Sequence, residues 1–83
     1  MINPNDFRAA VEKAILEIES SYRITSYDIH DDWAQFKGRS ISGKSNTSGQ
    51  IKVEGDKVEG YGPGGYGLAI AQLTTKYLEE GLS

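Results

Sequence analysis

A glycine-rich run in the second half of the chain separates two sequence patterns that require different backbone geometries. This run, residues 60–67, reads Gly-Tyr-Gly-Pro-Gly-Gly-Tyr-Gly. Before it, residues 51–53 place apolar side chains at alternate positions, as a strand does. After it, Ile70, Leu73 and Tyr77 recur at spacings of three and four, as residues on one helix face do. The sequence therefore predicts strands, then a tight turn, then a helix.

The first twenty residues contain the most regular helical pattern in the chain. Asn3 or Asn5 can cap a helix, and Pro4 suits its first position. Apolar residues then recur at the spacing of a core-facing helix, which we predict from about Asn5 to Ser20. The predicted apolar stripe consists of Phe7, Val11, Ala14, Ile15 and Ile18, with Tyr22 as a further candidate.

The middle of the chain is rich in β-branched and aromatic residues, which favour strands. The first predicted strand covers residues 22–29 and needs a bulge near Thr25-Ser26 to bring its apolar residues to one face. A turn at residues 30–32 leads to a second strand, from about Trp33 to Ser42. The polar composition of residues 42–49 predicts a flexible loop after it.

The remaining segments predict a hairpin and a second helix. Residues 50–54 form a third predicted strand, and Glu54–Lys57 a tight turn. Residues 57–61 form a short fourth strand, unless the third and fourth strands merge around a kink. The last helix runs from about Gly65 to Glu80 and ends at Gly81. Its predicted buried residues are Tyr66, Ala69, Ile70, Leu73 and Tyr77.

The order of these elements predicts an α+β fold. We expect an antiparallel sheet of three to four strands, with an N-terminal and a C-terminal helix packed on one face (α-β-β-β(-β)-α). The connections are too short for crossovers between parallel strands. Residues 1–83 then form a single compact domain, and the absence of cysteine excludes disulfides from its stabilisation.

Double-stranded-RNA-binding domains share this order of helix, antiparallel strands and helix. Those domains carry a cluster of lysines at the start of the last helix. Here the corresponding positions hold Tyr66, Gly67 and Leu68, which lack that basic chemistry. Shared topology does not imply shared function, so we assign no family on this ground.

Three short segments have the composition of ligand sites but lack the required context. Residues 38–45 match the P-loop spacing G-x-x-x-x-G-K-[ST], yet the following residues break the helix that a P-loop needs. His30, Asp31 and Asp32 offer metal ligands, but adjacent side chains rarely converge on one ion. The glycine-rich run could bind an anion or let the helix approach the sheet; the loss of a donor at Pro63 favours the second. We expect no cofactor, no metal and no catalytic residues.

The composition also bears on location. No apolar run approaches the roughly 20 residues that cross a bilayer, and the N-terminus lacks the pattern of a signal peptide. We expect a cytoplasmic protein with no membrane partner.

Charge is unevenly distributed along the chain. Residues 37–52 contain four basic residues and no acidic one, which leaves five basic residues against all 12 acids elsewhere. That segment therefore carries a charge of +4 and the remainder −7, for a net charge of −3. The basic side chains can contact phosphates, or they can keep an exposed hairpin solvated.

These observations favour a non-catalytic small binding protein over an enzyme. Our first hypothesis is a protein-binding module, inhibitor or regulator that acts through an acidic surface or the Tyr/Gly-rich loop. Its candidate residues are Tyr61, Tyr66, Asp31 and Asp32. The alternative is nucleic-acid binding through the basic hairpin 37–52, with Lys37, Arg39, Lys44 and Lys52 as candidates. A third hypothesis is a homodimer formed through an exposed edge strand or through Leu16 and Leu82.

Overall fold

The residues that the structure describes fold into two helices and one four-stranded sheet. The computed structural model describes residues 2–18, 23–39, 46–62 and 66–81. The strands pair antiparallel in the order β1-β2-β3-β4. The predicted α+β fold is confirmed. The third and fourth predicted strands are two separate strands joined by a hairpin, and they do not merge around a kink. The elements are α1 (Pro4–Ile18), β1 (Arg23–Ile29), β2 (Trp33–Arg39), β3 (Asn46–Glu54), β4 (Lys57–Tyr61) and α2 (Tyr66–Glu79).

α1 begins with the predicted cap. The side-chain oxygen of Asn3 accepts hydrogen bonds from the backbone N–H groups of Asn5 at 2.8 Å and Asp6 at 3.4 Å. Pro4 is the first helical residue, where its missing N–H costs nothing. The buried stripe is the predicted one with Ala10 added, whereas the predicted end at Ser20 and the side chain of Tyr22 lie outside the described residues.

Burial alternates along β2 and β3, which separates the sheet into two faces. Phe36 is buried, whereas its neighbours Gln35 and Lys37 are exposed. In β3 the buried residue Ile51 lies opposite Ala34. Both helices pack on the side of these buried residues and form one core with them. We call this side the covered face and the opposite side the outer face.

The predicted bulge in β1 is confirmed. The register pairs Ile24 with Gly38 and Ser26 with Lys37, so Thr25 is the extra residue. Thr25 Oγ1 donates a hydrogen bond to the Lys37 carbonyl at 3.2 Å. Because the bulge shifts the alternation by one position, the apolar residues of β1 share the covered face. These residues are Ile24, Tyr27 and Ile29.

The prediction of a loop over residues 42–49 is wrong for residues 46–49, which belong to a strand. β3 begins at Asn46, and Asn46 and Ser48 lie opposite Arg39 and Lys37 of β2. These polar side chains lie on the outer face, where no burial is required, and pairing with β2 overrides their preference for turns. Residues 40–45, which include the predicted end of β2, lie outside the described residues.

The hairpin between β3 and β4 forms as predicted. Glu54 and Lys57 are partners at its base, and Gly55 has a φ of 65°. That left-handed conformation suits glycine because it has no Cβ.

Glycines also allow α2 to lie directly against the sheet. A Cβ at Gly60 would come within 2.5 Å of the Gly67 carbonyl oxygen, and one at Gly67 would overlap the Tyr61 carbonyl oxygen. The described part of the glycine-rich run therefore serves this close packing.

α2 buries a wider stripe than the sequence predicts, because it packs against both the sheet and α1. Ile70 and Tyr77 are buried as predicted, and Ala69 and Leu73 are partly buried. The additional buried residues are Gly67, Ala71 and Thr74.

α2 ends at Glu79, and Gly81 follows it as the predicted cap: its φ is 81° and its N–H donates to the Leu78 carbonyl at 3.2 Å. None of the helices described is long and apolar enough to cross a membrane.

Candidate functional site

The outer face is a surface that the described elements leave without a covering layer. Both helices lie on the other side of the sheet, and the exposed positions of four strands meet here. The register across the sheet determines which of these residues are neighbours. The outer face is formed by Ser26, Asp28, Trp33, Gln35, Lys37, Arg39, Asn46, Ser48, Gln50, Lys52, Glu54, Lys57, Glu59 and Tyr61.

Trp33 is held on the outer face by its neighbours in the first hairpin. Its ring stacks on that of His30, with centroids 4.1 Å apart and planes inclined by 11°. His30 Nε2 in turn lies 2.9 Å from a carboxylate oxygen of Asp28. Because these contacts fix the indole, Trp33 can contact a ligand with little loss of side-chain entropy.

Tyr61 provides a second aromatic side chain on this face. It lies opposite Gln50 and is 48% exposed. Desolvation, followed by the nearby charges of Glu54 and Glu59, raises the pKa of its phenol above the ordinary value of 10.0, and a hydrogen bond with Glu54 acts in the same direction. The phenol is therefore neutral at physiological pH and available as a polar contact beside the ring.

Acidic side chains gather at one end of the sheet. The turns between β1 and β2 and between β3 and β4 both lie at this end, and the Asp32 carbonyl accepts the Val53 N–H at 2.8 Å. We call it the turn end. Lys52 and Lys57 are its basic residues on the outer face. Its carboxylates belong to Asp28, Asp31, Asp32, Glu54, Asp56 and Glu59.

The opposite end of the outer face, which we call the open end, is basic. Lys37 and Arg39 lie there on β2, beside Ser48 and Asn46 of β3. They line an open cleft of about 440 Å³ that also includes Thr25. None of the described residues that line this cleft carries a carboxylate, so an anionic group would meet two cations and neutral donors.

The structure divides the basic group that the sequence suggests. Lys37 and Arg39 lie together, but Lys52 lies opposite Trp33 and Glu59 towards the turn end. It is four residues from Ser48 along β3, or about 13 Å at a rise of roughly 3.3 Å per residue. Lys44 lies outside the described residues.

The predicted protein-binding residues also occupy different places. Tyr61 is on the outer face of β4, which is one edge strand of the sheet. Asp31 and Asp32 are exposed in the turn between β1 and β2, towards the opposite edge. Asp31 forms an ion pair with Arg8 of α1 at 3.3 Å. Tyr66 is the first residue of α2, and its side chain lies outside the described part. Tyr61 therefore lies apart from Asp31 and Asp32.

Sequence reasoning did not single out Trp33 as a functional residue. Along β2, Trp33 lies on the face of the strand opposite to that of Ala34 and Phe36. The available signal was a large aromatic residue among polar ones on the exposed side of a strand. Its contact with His30 could not be inferred because it depends on the shape of the turn.

The described residues include no group of three or more His, Asp or Glu side chains arranged to hold a metal ion. Comparison of the chain with models of protein families, with curated proteins and with solved structures found no match. The outer face is therefore the feature from which a function can be inferred.

Proposed function

We propose that this protein is a non-catalytic binding domain that recognises a partner protein through the outer face of its sheet. The observation that carries the proposal is the presence of Trp33, Arg39 and Tyr61 on that one face. Tryptophan, tyrosine and arginine are the residue types most enriched at the energetically dominant positions of protein interfaces.

The centre of the outer face suits a polar interface. Gln35 and Gln50 are register partners between the two aromatic residues, and both are exposed. Their amides offer donors and acceptors, while the strands beneath hold them in place. A partner that covers this region would bury the two amides together with the aromatic rings that flank them, and would leave charged groups at the ends of the face, as protein interfaces commonly do.

The charge pattern favours a protein over a nucleic acid as the ligand of the whole face. Asp28 lies beside the Trp33–His30 stack, and Glu59 lies near Tyr61. These carboxylates would repel a polyanion from both aromatic residues. A protein carries charges of both signs and can complement the acidic turn end and the basic open end together.

The test compares two variants as baits for capture of partner proteins. One is Arg39→Ala/Tyr61→Ala on the outer face; the control is Leu68→Ala, whose side chain on α2 is 54% exposed. If each anchor contributes about 2 kcal/mol, its loss weakens binding roughly 30-fold. We expect a protein captured by the wild type to be retained by the control and lost by the double variant. Equal retention by both variants would contradict the proposal.

A second candidate function, nucleic-acid binding, is favoured by the cleft at the open end alone. Lys37 and Arg39 face a cleft whose described lining has no carboxylate. If phosphates bind there, the affinity for a single-stranded oligonucleotide falls steeply with salt and is lost in Lys37→Glu/Arg39→Glu. Lys57→Glu, at the turn end, is the matched control. Absence of binding at low salt would exclude this function.

A further inference from the structure

A second uncovered surface lies at the edge of the sheet, between α1 and β1. Leu16 is 72% exposed and Tyr27 54% exposed, although both are large and apolar. With Ile15 and Ile24 they line a groove of about 340 Å³, and Glu12 is the charged residue at its rim. Exposed apolar residues that adjoin one another in this way mark an interaction site more often than isolated ones.

The strand beside this groove is an edge strand. β1 pairs with β2 on one side and with no other strand of the described sheet. It contains neither lysine nor proline, two residues that commonly prevent edge strands from pairing with another chain.

The bulge gives β1 a symmetric pattern of faces. Ile24 and Tyr27 lie on the covered face, while Ser26 and Asp28 lie on the outer face with Lys37 and Gln35 as their partners. Because Thr25 lies beside Lys37, the side chains of residues 24–27 follow the order covered, outer, outer, covered. This order is the same in both directions along the strand.

We propose that two copies of this chain form a homodimer by antiparallel pairing of their β1 strands. The two-fold axis passes between Thr25 and Ser26. Ile24 then lies opposite Tyr27 of the second copy, and the two grooves adjoin on the covered side. Shifting this register by one residue would set a covered-face position against an outer-face position, so the bulge specifies the pairing.

Charge complementarity supports a second copy as the occupant. In this register Arg23 of one strand lies opposite Asp28 of the other, and the two-fold axis repeats the pair. Antiparallel pairing also sets the acidic turn end of each copy beside the basic open end of its neighbour. A C2 interface of this kind uses the same surface on both copies, so the assembly is complete with two copies. The proposed homodimer does not depend on the outer-face function proposed above.

The test is the molecular mass in solution, measured by sedimentation across a range of protein concentrations. We expect a monomer–dimer equilibrium that Tyr27→Ser shifts at least tenfold towards monomer. Leu68→Ser is the matched control, because Leu68 is also 54% exposed but lies on α2; it should leave the equilibrium unchanged. Circular dichroism establishes that each variant is folded.

A charge exchange tests the register itself. Asp28→Arg places two arginines opposite each other and should weaken the dimer, whereas Arg23→Asp/Asp28→Arg restores opposite charges and should recover it. The loss of the contact between Asp28 and His30 is common to both variants, so it cannot explain a recovery. A monomer at all concentrations, an assembly larger than a dimer, or a dimer insensitive to Tyr27→Ser and to the charge exchange would overturn the proposal.

Discussion

The two faces of the sheet are built from alternate residues of the same strands and are subject to opposite constraints. On the covered face, Phe36 and Ile51 are buried beneath the helices, so their shape and volume determine stability. On the outer face, Lys37 and Gln50 are exposed and contribute little to the core. The fold therefore depends on one face, and the other is free to carry binding chemistry.

The largest contrast should appear between adjacent residues of β2. Phe36→Ala removes a ring that is 1% exposed, which should lower the free energy of unfolding by about 3 to 5 kcal/mol. Lys37→Ala, on the outer face, should change it by less than about 0.5 kcal/mol. Urea denaturation measures both. If Phe36→Ala unfolds the protein outright, Ile51→Val provides a milder core variant, with an expected loss of about 0.5 to 1.5 kcal/mol. Equal losses in the free energy of unfolding for variants on the two faces would contradict the view that stability depends on the covered face.

The packing of α2 on the covered face can be tested at Gly67. In an isolated helix, glycine to alanine gains about 1 kcal/mol. Here a Cβ would meet the backbone carbonyls of Tyr61 and Gln50, so Gly67→Ala should instead cost about 2 to 3 kcal/mol. Gly55→Ala meets no atom within 4 Å and should cost only the roughly 1 to 2 kcal/mol of a left-handed alanine. A more stable Gly67→Ala variant, by thermal denaturation, would show that the close approach is absent.

Two neighbouring threonines of α2 provide a smaller test of burial. Thr74 Oγ1 is buried without a hydrogen-bond partner among the described residues, whereas Thr75 Oγ1 donates to the Ala71 carbonyl at 2.9 Å. Thr74→Val removes the unpaired hydroxyl and should raise the free energy of unfolding by about 1 kcal/mol. Thr75→Val loses its hydrogen bond and should not stabilise the protein. The opposite order of stabilities would argue against the buried position of Thr74.

The smallest expected effect concerns Tyr61 on the outer face. Because its pKa is raised above 10.0, the folded state retains the phenolic proton more tightly than the unfolded chain. This contribution is fully present below pH 10 and is lost as the pH rises from there through the pKa of the folded state. Tyr61→Phe should therefore lose less stability than the wild type above pH 10, as chemical denaturation at successive pH values would show. An identical alkaline decline in both proteins would contradict the raised pKa.

The covered face could be predicted from the sequence because burial leaves a periodic signal. The stripe of α1, the alternation of Ala34 and Phe36, and the bulge near Thr25 all follow from the positions of apolar residues. The turn at Gly55 could be predicted because two strand patterns flank a residue suited to a positive φ.

The outer face was harder to predict because its residues need not be apolar. The start of β3 at Asn46 was missed, since its polar residues resemble a loop. The separation of Lys52 from Lys37 depends on the strand register, which residue spacing alone does not reveal. The contact between Trp33 and His30 likewise depends on how the turn positions the two rings.

The most direct test of the central claim, that the outer face binds a partner protein, is to map the partner's footprint residue by residue. The captured partner would be titrated into isotopically labelled protein while the backbone amide resonances are followed by NMR. We expect the largest shifts around Trp33, Gln50 and Tyr61, with little change on the exposed sides of α1 and α2. Shifts confined to the helices, with the outer face unaffected, would contradict the claim.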